Sequence, residues 1–333
     1  MAGPIVTAPD QALTAPATDG TPPRSGRKRI LITGLKWVIS LLLIGWILRS
    51  TELGAIGAAL YSAVPSWVLL AAALHITGFL IAAYRWQLLL HTQGAHASIP
   101  FLMESYIVSI FFSNFLPSTI GGDAVRAYDT WRIGGSKSEA VAIIFVDRFL
   151  GLFVLMLFAL AALPFTGALT AALPLLHLWV VLGVAGMAVI TWAIFMPSRF
   201  FDLLTKLPLP FPRKVKQVFT AFLPFQGRRD VLLKQLWLSL LLQANVVIHY
   251  YFIARALHLD VPLYSFFFII PLVTLLMMLP ISINAIGIRE SAFGFFLAAY
   301  GVTTADAVAF AWIAYGLILL QGILGGLIYA LRR

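Results

Sequence analysis

Two arginines stand at the same distance behind a Leu-Pro step in two separate parts of the chain. The stretch LPSTIGGDAVR over 116–126 aligns without a gap to LPISINAIGIR over 279–289. Leucine, proline, a hydroxyl residue (Thr119, Ser282), isoleucine and arginine recur at equal spacing. Pro117 and Pro280 each remove a backbone donor and bar a regular helix through the step. Gly121 and Gly122 then let the backbone turn and come close to a ligand. The arm that follows presents unpaired N–H groups at its N-terminus, which suits an anionic group. Arg126 sits about a turn further on and could hold a phosphate in bidentate fashion. Arg289 has the same place in the second copy, preceded by Asn284 and Gly287. Two arginines facing one central cavity would suit a lipid phosphate passing between leaflets.

A structural reading stands beside this one. Asp123 and Arg126, at i and i+3, can pair with each other, and Arg289 and Glu290 can find other partners. Asp147 and Arg148 lie two to three turns into an apolar run that begins near Ser138. As helix neighbours they point in different directions. Asp147 could pair with Arg126 or gate a proton or head group, and Arg148 could anchor to phosphate. A structural ion pair explains them about equally well. Glu104 is either a site acid or an interfacial residue. Asn114, Asn245 and His249 sit on apolar segments, where interhelical hydrogen bonding is the commoner role. His75 and Lys36 read as packing and snorkelling residues. Charges inside a membrane are costly enough to be functional by default.

The elements that must carry these residues are membrane helices. Of the 333 residues, 61% are hydrophobic and 11% charged, and the mean hydropathy is +0.94. Soluble domains carry about 25% charged residues, so a large single-core soluble protein is excluded. Apolar segments of spanning length recur from 30 to 331, which predicts an all-α polytopic membrane protein. The chain has no cysteine, which excludes disulfides and thiolate metal sites. It has no P-loop or nucleophile-elbow motif and no helical histidine spacing for a metal, so no cofactor is expected. The net charge of +10 reads as Lys and Arg held on the cytoplasmic side, not as a nucleic-acid surface.

Residues 1–29 read as a disordered cytoplasmic tail, rich in Pro, Thr and Ala and ending in a basic cluster. Six full spans are predicted at 30–49, 66–90, 138–163, 177–196, 234–257 and 305–330. Two further segments, 99–132 and 262–300, have apolar arms on either side of a proline break and read as re-entrant hairpins. The linker 197–234 holds eight Lys and Arg against Asp202 and Asp230, so it belongs inside with both termini. Its centre could be an amphipathic helix on the inner surface. Repeat 1 (about 66–163) and repeat 2 (about 234–330) then enter from opposite faces. Inverted repeats with broken helices in matching positions are the pattern of transport sites near the midplane. Trp67, Trp86 and Trp131 read as interface-belt residues, and the Gly322–Gly326 pair as close helix packing.

Three ordered motifs carry a family resemblance. Asn114, Pro117, Gly121, Gly122, Asp123 and Arg126 form the first, and Asp147, Arg148 and Gly151 the second. Pro280, Ser282, Gly287, Arg289 and Glu290 form the third, with Ala285 where a glycine is common. In these the chain resembles the lysylphosphatidylglycerol synthase transmembrane (flippase-like) family. The resemblance implies an inner-membrane helical bundle of the bacterial cell that binds or moves lipid. The chain ends two residues after its last span, so the aminoacyl transferase domain of fused relatives is not expected. The leading expectation is a lipid translocase acting on an anionic phospholipid or lipid-linked head group. Its substrate residues would be Asn114, Gly121, Gly122, Asp123, Arg126, Asp147, Arg148, Asn284, Arg289 and Glu290. The alternative is an enzyme subunit or scaffold acting on lipid-linked substrates. Partners to expect are membrane lipids, with a homo-oligomer or lipid-biosynthesis enzymes beside them.

Overall fold

The computed structural model describes residues 35, 38, 42, 53–115, 121–134, 136–165, 167, 175–205, 220–279 and 281–331. The predicted tail, nearly all of the 30–49 span, Pro117, Pro280 and the amphipathic centre of the linker lie outside them. No strand occurs among the described residues. The α-helices among the described residues include α1 (Leu53–Tyr61), α2 (Pro65–Thr92), α3 (Ile99–Phe115), α4 (Gly121–Ile133), α5 (Lys137–Ala162), α6 (Leu176–Phe195), α7 (Pro197–Thr205), α8 (Arg229–Ala256), α9 (Leu263–Met278), α10 (Ile288–Ala298) and α11 (Thr304–Leu331). Among the described residues five stretches are long and apolar enough to cross a membrane: Pro65–Thr92, Lys137–Phe165, His177–Phe195, Arg229–Ala256 and Thr304–Leu331. The chain is an all-α polytopic membrane protein.

Local sequence explains where these helices start. Pro65 opens α2 in its first turn, where a missing N–H costs nothing. At α5, Ser136 Oγ accepts from the Glu139 N–H at 3.2 Å and Glu139 Oε2 accepts from the Ser136 N–H at 2.7 Å. This reciprocal cap satisfies two orphan donors just before the apolar run begins.

The same succession of helices occurs twice. Helices α2 to α5 have 28, 17, 13 and 26 residues, and α8 to α11 have 28, 16, 11 and 28. The two 28-residue leaders pack along each other in opposite directions. Val64 N–H donates to Ala256 O at 2.9 Å, His249 Nδ1 lies 2.9 Å from Ala71 O, and Arg85 Nε donates to Gln235 Oε1 at 3.3 Å. Partner numbers fall as those of α2 rise, so the two units run oppositely through the bundle. They also exchange arms: α3 packs on α11, and α9 packs on α5.

Between leader and closer, each unit inserts two short helices. At ~1.5 Å per residue, α3 and α4 reach ~26 and ~20 Å, and α9 and α10 ~24 and ~17 Å. The hydrocarbon core is ~30 Å thick. In the first pair, Ser105 bonds Asp129 while Gly122 lies against Ser109 and Ser113, so α3 and α4 run antiparallel. That hairpin turns back towards the side on which it began.

Lipid tails are as apolar as leucine, so these helices are held by close packing rather than by the hydrophobic effect. Gly325 and Gly326 of α11 sit against Ile107 and Phe111 of α3, and a Cβ on Gly325 would overlap the Ile107 carbonyl. Gly122 meets the Ser109 carbonyl as closely. Gly322 and Gly326, the pair read from sequence as close packing, both lie against α3, at Asn114 and Phe111. Phe266, Phe268, Phe293 and Phe310 are fully buried where α9, α10 and α11 meet.

Candidate functional site

Three clusters of charge stand out among the described residues. The first joins α2, α4 and α5. Arg126 Nη2 donates to Asp147 Oδ2 at 2.7 Å, and Arg85 Nη2 lies 3.0 Å from Asp147 Oδ1. The same Arg85 nitrogen donates to the Asp147 carbonyl at 2.6 Å. None of the three side chains is more than 3% exposed. The Arg126 guanidinium also lies over two rings, 4.7 Å from the Trp86 centroid and 4.3 Å from that of Tyr106. Gln235 of α8 locks Arg85 in turn, accepting from its Nε and donating to its carbonyl. Two cations held by one carboxylate and two aromatic faces make a buried structural knot, with Arg126 Nε left unpartnered among the described residues.

The second cluster is a single pair. Arg148 Nε donates to Asp123 Oδ1 at 2.7 Å, with the two side chains 50% and 24% exposed. Asp123 thus pairs with Arg148, not with Arg126 one turn along its own helix.

The third cluster lies at the inner ends of the broken helices. Asn284 Nδ2 donates to Tyr315 Oη at 2.8 Å and to Asn114 Oδ1 at 3.3 Å, and Asn114 Nδ2 donates to the Ile318 carbonyl at 3.3 Å. Asn114 ends α3 and Asn284 precedes α10, so the two hairpins touch through these amides across α11. The chain gets there by an unusual turn: Asn284, Ala285 and Gly287 all have positive φ, at 52°, 56° and 85°. Asparagine tolerates this region, and glycine needs no excuse in it, but alanine is strained there. The Gly287 N–H donates to Glu290 Oε2 at 2.7 Å, which folds that buried carboxylate back onto the helix start.

Arg289 follows this turn and is 3% exposed. Its Nη2 donates to the Asn284 carbonyl at 3.1 Å, and its guanidinium lies 4.2 Å from the Tyr315 ring centroid. Its Nε and Nη1 have no hydrogen-bond partner among the described residues. The two repeated arginines therefore differ. Arg126 shares Asp147 with Arg85 and leaves its Nε unpartnered, whereas Arg289 leaves Nε and Nη1 unpartnered and contacts no carboxylate among the described residues.

A cavity of about 270 Å³ lies between the leaders α2 and α8, with α3 and α11 closing it. His75, Tyr106, Gln243, Asn245, His249 and Tyr250 supply its polar lining. His75 Nε2 is 3.4 Å from His249 Nε2. The Tyr106 ring that Arg126 stacks on is part of this wall, and Tyr250 packs on Phe293 of α10, one turn beyond Arg289. Neither arginine lines the cavity itself; each lies behind an aromatic residue of its wall or next to one.

Of the ten expected residues, Asn114, Asn284, Arg289 and Glu290 come together at the hairpin junction. Gly121, Gly122, Asp123 and Arg126 open α4, and Asp147 and Arg148 divide between the first two clusters. Three participants were not singled out from sequence: Arg85, Gln235 and Tyr315. Trp86 is not an interface residue but fully buried, with Nε1 donating to Thr130 Oγ1 at 3.1 Å. An arginine beside a tryptophan some twenty residues into an apolar run was the available signal for both.

Comparison with curated proteins gives no match. The sequence model of the lysylphosphatidylglycerol synthase TM region matches residues 34–325, nearly the whole chain and all three clusters. The chain belongs to the lysylphosphatidylglycerol synthase transmembrane family.

Proposed function

We propose that the protein binds the head group of an anionic phospholipid or lipid-linked intermediate and moves it across the bacterial inner membrane. Family membership supports a membrane protein of lipid metabolism or translocation. The observation that carries the finer reading is Arg289, a guanidinium 3% exposed with two nitrogens unpartnered among the described residues. An unpaired buried cation costs several kcal/mol, on the order of 3–5. A phosphate offers two oxygens to the planar guanidinium fork. Arg289 bonds the Asn284 carbonyl, and Asn284 bonds Asn114 of the opposed unit, which supports a site served by both units. Asn114 and Asn284 would hold the head group's remaining oxygens, and Glu290 fixes the turn that aims Arg289.

In this reading both termini and the basic linker face the cytoplasm, as the positive-inside rule requires. The lipid is cargo and leaves unchanged. The test is reconstitution into liposomes with head-group-labelled phosphatidylglycerol or phosphatidylcholine in one leaflet. Faster leaflet exchange of the anionic lipid than in empty liposomes supports transport. Exchange equal to that of empty liposomes for both lipids refutes it.

A further inference from the structure

We propose that the groove between the end of α6 and the start of α8 is a docking site for one anionic phospholipid, separate from the hairpin junction. The groove has a volume of about 410 Å³ and runs from Arg228 and Arg229 at its mouth, past Trp192 and Leu232, to Ala188 and Phe153. Its mouth lies at the turn that joins the linker to α8, where the Gly227 N–H donates to the Phe195 carbonyl at 3.1 Å and ties the two helices together. From Met196 back to Ala188 the wall runs ~12 Å along α6, most of the depth of one leaflet. An acyl chain lying there would put its phosphate beside the two arginines, the natural orientation of a leaflet lipid.

Charge selects the occupant. Arg228 and Arg229 are both exposed, and the acid beside them, Asp230, sits 3.6 Å from Arg228 Nε with its side chain 60% exposed. So open a pair is weak, and a phosphate can displace Asp230. Basic pockets between membrane helices at the aqueous boundary take anionic head groups in this way. The rest of the lining offers an acyl chain and nothing more: Thr191, the polar residue of the wall, spends its hydroxyl on the Met187 carbonyl at 2.8 Å.

Trp192 lines the groove and reports on it directly. The full chain is reconstituted in vesicles containing brominated phosphatidylglycerol or brominated phosphatidylcholine at equal mole fraction. The share of tryptophan quenching lost in Trp192→Phe isolates this site. Two arginines at the boundary predict an association preference for the anionic lipid of about 30-fold. Arg228→Gln with Arg229→Gln brings that preference near unity, and Ala188→Phe lowers quenching by both lipids by filling the groove. Equal quenching by the two lipids in the wild-type chain overturns the proposal, as does a preference that survives the double arginine variant. The site is independent of the transport reading: Arg289→Gln leaves the Trp192 preference intact, and a failed leaflet-exchange assay does not touch it.

Discussion

Replacing Asp147 with asparagine keeps the side chain's shape and removes the charge that two buried guanidiniums share. Arg85 would retain the carbonyl at 147 and Gln235, and Arg126 its two aromatic faces. Neither cation would retain a carboxylate in direct contact. Breaking a buried pair by removing one partner costs about 3–5 kcal/mol. An asparagine oxygen can still accept one bond, which places Asp147→Asn near ~3 kcal/mol. Adding Arg126→Leu removes one stranded cation, so the double variant should recover a coupling of ~1–3 kcal/mol. The assay is reversible unfolding in mixed micelles followed by tryptophan fluorescence, to which Trp86, inside the cluster, contributes. A cost below ~1 kcal/mol for Asp147→Asn, or strict additivity in the double variant, would refute the knot.

Two further predictions use the same unfolding measurement. Ala285→Gly relieves a left-handed alanine and should stabilise the fold by ~1 kcal/mol, against the usual cost of an added glycine; a destabilised variant would mean the turn is not strained. Gly325→Ala drives a methyl into the Ile107 carbonyl and should cost ~1–3 kcal/mol, whereas Gly316→Ala on the same helix, with open space around it, should be close to neutral.

The helices were legible because spanning length and apolar composition leave few other options. The predicted 66–90, 138–163, 177–196, 234–257 and 305–330 spans differ from the helices by a few residues at each end. The breaks between α3 and α4 and between α9 and α10 were legible through the proline steps and their echo. What the sequence did not disclose was pairing between distant elements. Asp123 lies one turn from Arg126 and 25 residues from Arg148, and only the packing of α4 on α5 decides for Arg148. Arg85 lies 62 residues from Asp147 and looked like part of an apolar span. The alignment made Arg126 and Arg289 equivalents. It could not show that α5 brings Asp147 to one of them, while α11 brings Tyr315 to the other. Ala285 marks a similar limit, since its departure from glycine is visible in sequence but the φ that makes it costly is not.

The central claim is that Arg289 is the open cation that takes the lipid phosphate. Leaflet exchange of labelled phosphatidylglycerol should be measured in liposomes holding wild type, Arg289→Gln or Arg289→Lys, each first shown to unfold at the same denaturing detergent fraction. The account predicts exchange at the level of empty liposomes for Arg289→Gln and a partial rate for Arg289→Lys, which keeps the charge but not the bidentate fork. Wild-type rates from a folded Arg289→Gln protein would contradict it.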